Sequence, residues 1–367
     1  MLRGGIVKDG EIHIGRAEWA RLNGRYTRAE IIQYLSDQIV QNNVPLPLRK
    51  IAPEEALEDF RELRNLDCRR LLREGTVFTK YPYRRPPSGR YVDVSKVGNR
   101  ASDFFHQAER YRCDSVNAPS PQRTWETEKF RKNFLKSLWT MKYSEVTSAT
   151  LRQAIALRNY TASQFRPSAA KAIYQLLESK DVLDFSMGWG DRLAAFCATP
   201  DARLYVGCDP NARLFGGYAR QVDMYGNGKT VRAVNAAAED ADFGEEQFDT
   251  VFSSPPFFCT ERYSRDENQS WVRYKTLDRW LSGFLFGALE KAWRALKPKG
   301  FLAINVADVY ANHQVNRIAD PANDFVSRLP RAEFVTCLGL RMMKRPRSAA
   351  DRQSVYVEPA FIWTKRA

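Results

Sequence analysis

The sequence predicts an α/β protein: a Rossmann-like, doubly wound and mostly parallel sheet, preceded by a basic and mainly helical domain. Three observations lead there. From about residue 165, short apolar runs alternate with helix-compatible segments, at 181–185 (DVLDF), 203–208 (RLYVGC), 231–235 (VRAVN), 248–253 (FDTVFS) and 300–306 (GFLAINV). Strands separated by helical patterns indicate βαβ units and a parallel sheet. Before that point the hydrophobic periodicity is helical, and both halves are basic. Residues 1–150 hold 27 Lys and Arg against 19 Asp and Glu, and the remainder holds 30 against 24. Domains are therefore expected at 1–164 and 165–367, the first suited to nucleic-acid binding or recognition.

Each element has a local reason. In TRAEIIQYLSDQIVQN, Thr27 and Glu30 stand at capping-box spacing, and Ile31, Ile32, Leu35, Ile39 and Val40 form one broad apolar stripe. In APEEALEDFRELRNLDCRRLLR, Pro53 falls near the first turn, acids come early and arginines late, and Leu57, Phe60 and Leu63 keep helical spacing. Residues 78–91 (FTKYPYRRPPSGRY) read as a Pro-rich loop interleaving arginines with tyrosines. Residues 123–142 are basic, aromatic and helical, and the rings of Trp125, Phe130, Phe134 and Trp139 suit a core. Helices are expected at 191–198, 210–225 and 278–296. Two β-rich runs, 333–341 and 355–364, close the chain around a short basic segment.

The bulk properties exclude several classes. A chain of 367 residues with 44% hydrophobic and 27% charged residues is long enough for two cores and polar enough to be globular. No apolar run of about 18 residues appears, so no membrane span is expected. The N-terminus lacks a continuous apolar segment of the signal-peptide kind, which argues against secretion. Six cysteines without CxxC pairing favour a reducing compartment, and three scattered histidines offer no metal site or histidine-based dyad. The net charge of +14 favours polyanionic partners through counterion release.

Four motifs carry the chemistry. In VLDFSMGWGDR a strand ends at Asp184 and a Gly188-x-Gly190 turn follows, where glycines let backbone approach a ligand closely. A third glycine is missing, so the dinucleotide fingerprint is incomplete. Asp209 ends the next strand about 25 residues on, near the offset at which an acid reaches ribose hydroxyls; as Asp209-Pro210 it also suits a helix N-cap. Glu239 and Asp240 lie just past the third strand, at the edge where an acceptor meets an exocyclic amine; a solvated turn is the plainer reading. Ser254-Pro255-Pro256-Phe257 then closes the fourth strand. A side-chain oxygen and the Pro255 carbonyl can accept both N–H groups of an amine, proline adds an acceptor without a competing donor, and Phe257 or Phe258 can stack on a base.

In this order the motifs resemble S-adenosylmethionine-dependent amino-methyltransferases of nucleic acid, which methylate adenine N6 or cytosine N4. The resemblance covers roughly residues 165–365, and the run SSPPFFCTERYSRDENQSWVRY is similar to the extended catalytic segment of phage and viral DNA methylases. It implies a class I methyltransferase fold and S-adenosylmethionine as cofactor. Phe165, Asp184, Ser186, Gly188 and Gly190 would line the cofactor's methionine side, Asp209 its ribose, and Glu239 or Asp240 its adenine. Ser254, Pro255, Pro256 and Phe257 would hold the target base, with Asp308 near the mouth of the site. Ser and Phe replace the commoner Asp-Pro-Pro-Tyr or Asn-Pro-Pro-Tyr, which leaves adenine and cytosine both open. No Pro-Cys pair occurs, so C5 methylation is not expected.

The segment 259–275 reads as a lid over the target strand or an extruded base, with Arg262, Tyr263, Trp271 and Arg273 as contacts beside Phe258. Arg84 and Arg85 are placed to touch phosphates. DNA is the favoured polymer. An RNA methyltransferase on the same fold and an inactive nucleic-acid-binding relative are the alternatives. The expected setting is the inside of a cell, in a bacterial, phage or viral context, with any oligomer or partner protein unspecified.

Overall fold

A computed structural model of the chain describes residues 5–343 and 354–367. Most of the basic segment between the last two β-rich runs lies outside the described residues. The chain forms two compact units, Met1–Lys50 with Gln107–Ala162 and Ile51–His106 with Ser163–Ala367. This division is not a single step at 164/165, because residues 51–106 belong with the sheet. Phe60 stacks on Tyr225 at 4.1 Å, and the buried Lys171 ammonium donates to the carbonyls of Leu63, Arg64 and Leu66 at 2.7–2.9 Å. Periodicity shows that a helix is amphipathic but not which core its apolar face joins.

The first unit carries a hairpin of Val7–Lys8 and Glu11–Ile12, then helices Arg16–Arg25, Arg28–Gln41, Pro121–Glu126, Glu128–Leu135, Ser137–Thr140 and Ser148–Arg158. The capping box forms: the Thr27 amide donates to Glu30 Oε2 at 2.8 Å, and the Glu30 amide donates to Thr27 Oγ1 at 3.3 Å. Ile31, Ile32, Leu35 and Ile39 are buried, but Val40 is 55% exposed. Consecutive helical residues are rotated by about 100°, and toward the end of this helix the buried stripe takes in position 39 but not position 40. Trp125 stacks on Phe134 inside the unit at 5.7 Å, with Lys129, Lys136 and Lys142 outside.

In the second unit the central strands are β1 (Asp181–Asp184), β2 (Leu204–Cys208), β3 (Thr230–Val234), β4 (Phe248–Ser253), β5 (Leu296–Asn305), β6 (Ala332–Arg341) and β7 (Val355–Lys365). Their order in the sheet is β3-β2-β1-β4-β5-β7-β6. β1 to β5 pair in parallel, and β7 runs antiparallel to β5 and β6. Short strands Arg90–Val92 and Leu72–Glu74 extend the β6 edge, and Val77–Phe78 pairs beside β7. The helices of this unit include α1 (Pro53–Asn65), α2 (Pro167–Leu176), α3 (Asp191–Ala198), α4 (Phe215–Tyr225), α5 (Phe286–Ala295) and α6 (Ala319–Ser327).

Side-chain alternation sorts the sheet into two faces. Leu183, Val251, Leu302, Ile304, Phe361 and Trp363 join the α5–α6 side in one core. The register Val251↔Leu183 and Ser253↔Ile304 puts Asp184, Phe252, Ser254 and Asn305 on the opposite face. There Phe252 meets Phe165 and Tyr174 edge-on at 5.4 and 5.6 Å. The C-terminal ends of β1, β2, β4 and β5 thus share one edge, the place where open α/β sheets bind ligands.

Candidate active site

Asp184 is completely buried at the end of β1 and is a hub. Its carboxylate accepts from Arg192 Nε at 2.7 Å and Nη2 at 3.3 Å, from Tyr205 OH at 2.7 Å, from Ser253 Oγ at 2.8 Å and from the Ser186 amide at 3.2 Å. Arg192 also donates to the Ser186 carbonyl. Burial opposes the charge on Arg192, but the adjoining Asp184 carboxylate more than offsets it and holds the guanidinium above its ordinary range. Asp184 and Ser186 therefore shape the glycine turn from beneath.

Both turn glycines are left-handed, with φ of 57° at Gly188 and 67° at Gly190. A Cβ at Gly190 would lie 2.3 Å from Gln221 Oε1 and 2.8 Å from His106 Nε2, whereas at Gly188 the nearest atom, the Ser186 carbonyl, is 3.8 Å away. Gly190 is a glycine for packing; Gly188 keeps open space above its backbone. Gln221 donates to the Gly190 carbonyl at 2.8 Å, Tyr218 donates to the Gly188 carbonyl, and His106 Nε2 meets Gln221 Oε1 at 3.0 Å. Burial lowers His106 to about 4, so it is neutral and donates from Nε2. The helper residues Tyr218 and Gln221 of α4 and His106 of the helix Asn99–Arg110 gave no sequence signal, because both helices lie far from the glycine turn along the chain.

Asp209 ends β2 facing that turn. Its Oδ2 accepts from the Gly188 amide at 2.8 Å and its Oδ1 from the Asn211 amide at 2.9 Å. Burial raises its carboxyl to about 6. The cap of the following turn is Asn211, which accepts from the Arg213 amide at 3.3 Å, so Asp209 is not the N-cap. Each Asp209 oxygen keeps a lone pair for a hydroxyl.

Glu239 is withdrawn from solvent, whereas the Asp240 side chain stays 54% exposed. Arg273 donates to Glu239 Oε1 at 2.9 Å and lies 2.7 Å from Asp240 Oδ2, and Tyr274 OH donates to Glu239 Oε1 at 3.1 Å. The segment after the elbow thereby closes on the acids. Glu239 Oε2 and Asn211 Nδ2 are buried with no hydrogen-bond partner. An orphaned acceptor and an orphaned donor past the ends of β3 and β2 fit a ligand carrying both kinds of group, as a nucleoside does.

At the end of β4, Ser254 Oγ donates to Asn305 Oδ1 at 2.9 Å, and Asn305 Nδ2 donates to the Pro359 carbonyl at 2.9 Å. A carbonyl only accepts, so it fixes the Asn305 amide and makes the Ser254 hydroxyl the donor of that pair. The lone pairs of Ser254 remain as acceptors. Asn305 was not singled out in the sequence; its signal is a polar side chain ending the apolar run GFLAIN. Phe257 is half-buried, and Pro255 is buried. Phe258 departs from expectation: it is 4% exposed and packs edge-on against Trp280 at 5.9 Å, inside the core and unable to stack on a base.

Three further expectations need correction or detail. Arg84 pairs with Asp320 and Asp324 of α6, and Arg85 stacks over Trp363 and Phe334 at 5.0 and 5.4 Å. These contacts hold the 78–91 loop to its own unit; Arg85 is half-buried, whereas the Arg84 side chain stays 60% exposed. Asp308 does not open onto the site, because it accepts from the Ile318 and Ala319 amides at the start of α6 and from Arg317. In the segment 259–275, Trp271 donates to the Ser264 carbonyl at 2.8 Å and carries Arg262 and Lys275 at 5.1 and 5.2 Å from its ring. Tyr263 packs on Trp189 of the glycine turn at 5.3 Å. Arg262 Nε is buried without a hydrogen-bond partner.

The strand order, the reversed last strand and the glycine turn after β1 define a Rossmann-like, class I methyltransferase fold. No protein-family model and no curated protein matches the chain. Among solved structures, an S-adenosylmethionine-dependent O-methyltransferase from Thermotoga maritima is 15% identical over 56% of this chain and 68% of its own, with a TM-score of 0.36. An rRNA methylase from Streptococcus thermophilus is 18% identical over 56% and 100%, with a TM-score of 0.35. A tRNA (m1A58) methyltransferase from Aquifex aeolicus is 15% identical over 58% and 74%, also with 0.35. Among the described residues no helix is long and apolar enough to cross a membrane.

Proposed function

We propose that this chain is an S-adenosylmethionine-dependent methyltransferase acting on the exocyclic amine of a nucleobase in DNA, adenine N6 or cytosine N4. The observation that carries the proposal is the Ser254–Asn305–Pro359 chain of hydrogen bonds, which leaves Ser254 as an acceptor at the sheet edge. Beside it the Pro255 carbonyl supplies a second acceptor. Together they hold both N–H groups of an amine and leave its lone pair facing the methyl donor. When bound, the cofactor supplies an electrophilic methyl group on a positively charged sulfur. The Gly188 backbone leaves space for it, Asp209 accepts from ribose hydroxyls, and Glu239 Oε2 accepts from the adenine amine. Asp184 and Arg192 position the turn. Phe165 is held by its amide, which donates to Asp191 Oδ2 at 3.1 Å, at the methionine end. Arg262, Tyr263, Trp271 and Arg273 form the lid side.

The first unit concentrates charge, with 18 Lys and Arg against 10 Asp and Glu over its two segments. We assign it to phosphate contact. Two phosphate contacts already weaken binding about tenfold between 50 and 200 mM salt. An oligonucleotide titration should show at least this slope; a flat response would remove the assignment. The reaction itself is tested by labelled methyl transfer to DNA and RNA, followed by nucleoside mass spectrometry. Label in N6-methyladenine or N4-methylcytosine from DNA is expected, label only from RNA moves the activity to that polymer, and no label overturns the proposal.

Asp209 gives a pH test. Its ionised form accepts from ribose, and burial raises its carboxyl from 3.8 to about 6. Folding therefore loses stability as pH rises through that window, whereas cofactor affinity gains and then levels above it. Calorimetry should find binding about tenfold weaker at pH 5 than at pH 7, and Asp209→Asn should be weak and flat across the range. An equally flat wild type would exclude the ribose role.

A further inference from the structure

We infer that Glu358 takes up the proton that leaves the amine on methylation; the inference rests on the amino-methylation proposal above. The antiparallel register pairs Asn305 of β5 with Ala360 of β7. Glu358 stands two residues further, beyond the end of β5, on the sheet face shared by Ala360, Asn305 and Ser254. At about 3.4 Å per residue this is one side-chain reach, about 7 Å, past the row that orients the amine. The residue next to it, Pro359, supplies the carbonyl that fixes Asn305, so the strand bearing Glu358 is tied to the group that orients Ser254. On its other side Glu358 pairs with Leu340 of β6.

The groups facing it come from four elements. Glu261 follows the elbow, Arg166 precedes α2, Tyr356 lies on the same strand, and Tyr83 comes from the 78–91 loop. Arg166 is also tied to the Arg341 carbonyl, and Tyr263 OH donates to Glu261. Burial, with Glu261 adding and Arg166 opposing, raises Glu358 to about 7. Such a carboxyl is partly ionised at neutral pH and can accept a proton and release it within one turnover.

The balance is simple. The amine nitrogen uses its lone pair to form the N–C bond, and the C–S bond breaks with its electron pair going to sulfur. One N–H bond then breaks, its electrons stay on nitrogen, and the proton joins a Glu358 oxygen before passing to water. Ser254 and the Pro255 carbonyl, which only orient the amine, do not need to take that proton.

Glu358→Gln tests this, because it keeps the size and one acceptor oxygen but not the proton affinity. On a nucleic acid that the wild type methylates, kcat should fall about a hundredfold with calorimetric cofactor affinity unchanged. The inflection near pH 7 in the wild-type kcat profile should vanish, and Glu358→Asp should recover part of the rate. Independently of activity, a 13C carboxyl resonance present in the wild type and missing from Glu358→Gln should titrate near pH 7. A wild type that methylates no nucleic acid defeats the amino-methylation proposal, and the proton role with it. An active wild type overturns the proton role alone in any of three cases: Glu358→Gln keeps its rate, it keeps the inflection, or the resonance titrates in the ordinary carboxylate range.

Discussion

Arg192→Met is expected to lower the unfolding free energy by about 3–5 kcal/mol, the usual cost of removing one partner from a buried ion pair. Asp184 has no exposure, and Arg192 supplies two of its five hydrogen bonds and its only ion-pair cation among the described residues. Methionine fills similar volume, so the loss reports the stranded carboxylate more than a cavity. Asp184→Asn combined with Arg192→Met should recover much of it, because neither buried charge then remains. Urea denaturation of the wild type, both single variants and the double variant measures the coupling. A single-variant loss under about 1 kcal/mol would place the pair among the weakly coupled surface bridges instead.

Ser254→Ala is expected to cut methyl transfer about 10²–10³-fold, the scale for losing one preorganised polar contact to a reacting group. Cofactor affinity should stay within about twofold, because Ser254 bonds to Asn305 and not to the glycine turn or Asp209. Asn305→Leu should give a smaller loss of about tenfold, since the hydroxyl survives but its rotor is no longer fixed. Single-turnover rates separate these effects from product release. If Ser254→Ala weakens cofactor binding as much as turnover, the division between cofactor residues and amine residues is wrong.

Much of the fold was legible because it is written locally. The helix at 191–198 appears as Asp191–Ala198, and the strand at 248–253 as Phe248–Ser253. Alternating apolar runs and helical spacing need no distant partner to be read. The exceptions are instructive. The expected helix at 278–296 forms in three stretches, Leu277–Trp280, a π-helical Leu281–Leu285 and Phe286–Ala295. Residues 51–106 have the helices that the pattern predicts, yet they join the sheet-bearing unit.

The site divides the same way. Sequence by itself determined the order of the strands along the chain, the glycine turn, Asp209 at the next strand end and the Ser-Pro-Pro elbow, because backbone conformation and strand ends are set by neighbouring residues. Tertiary structure alone decided what each side chain faces. It committed Asp184 to Arg192, closed Arg273 onto Glu239, buried Phe258 beside Trp280, and set Arg84 against α6 and Arg85 over two rings. It also brought Asn305 to Ser254 across 51 residues and placed β7 beside them. Hydrogen bonds and ion pairs act over a few ångströms, so a chain shows which groups it owns, and only its packing shows which of them remain free to meet a ligand.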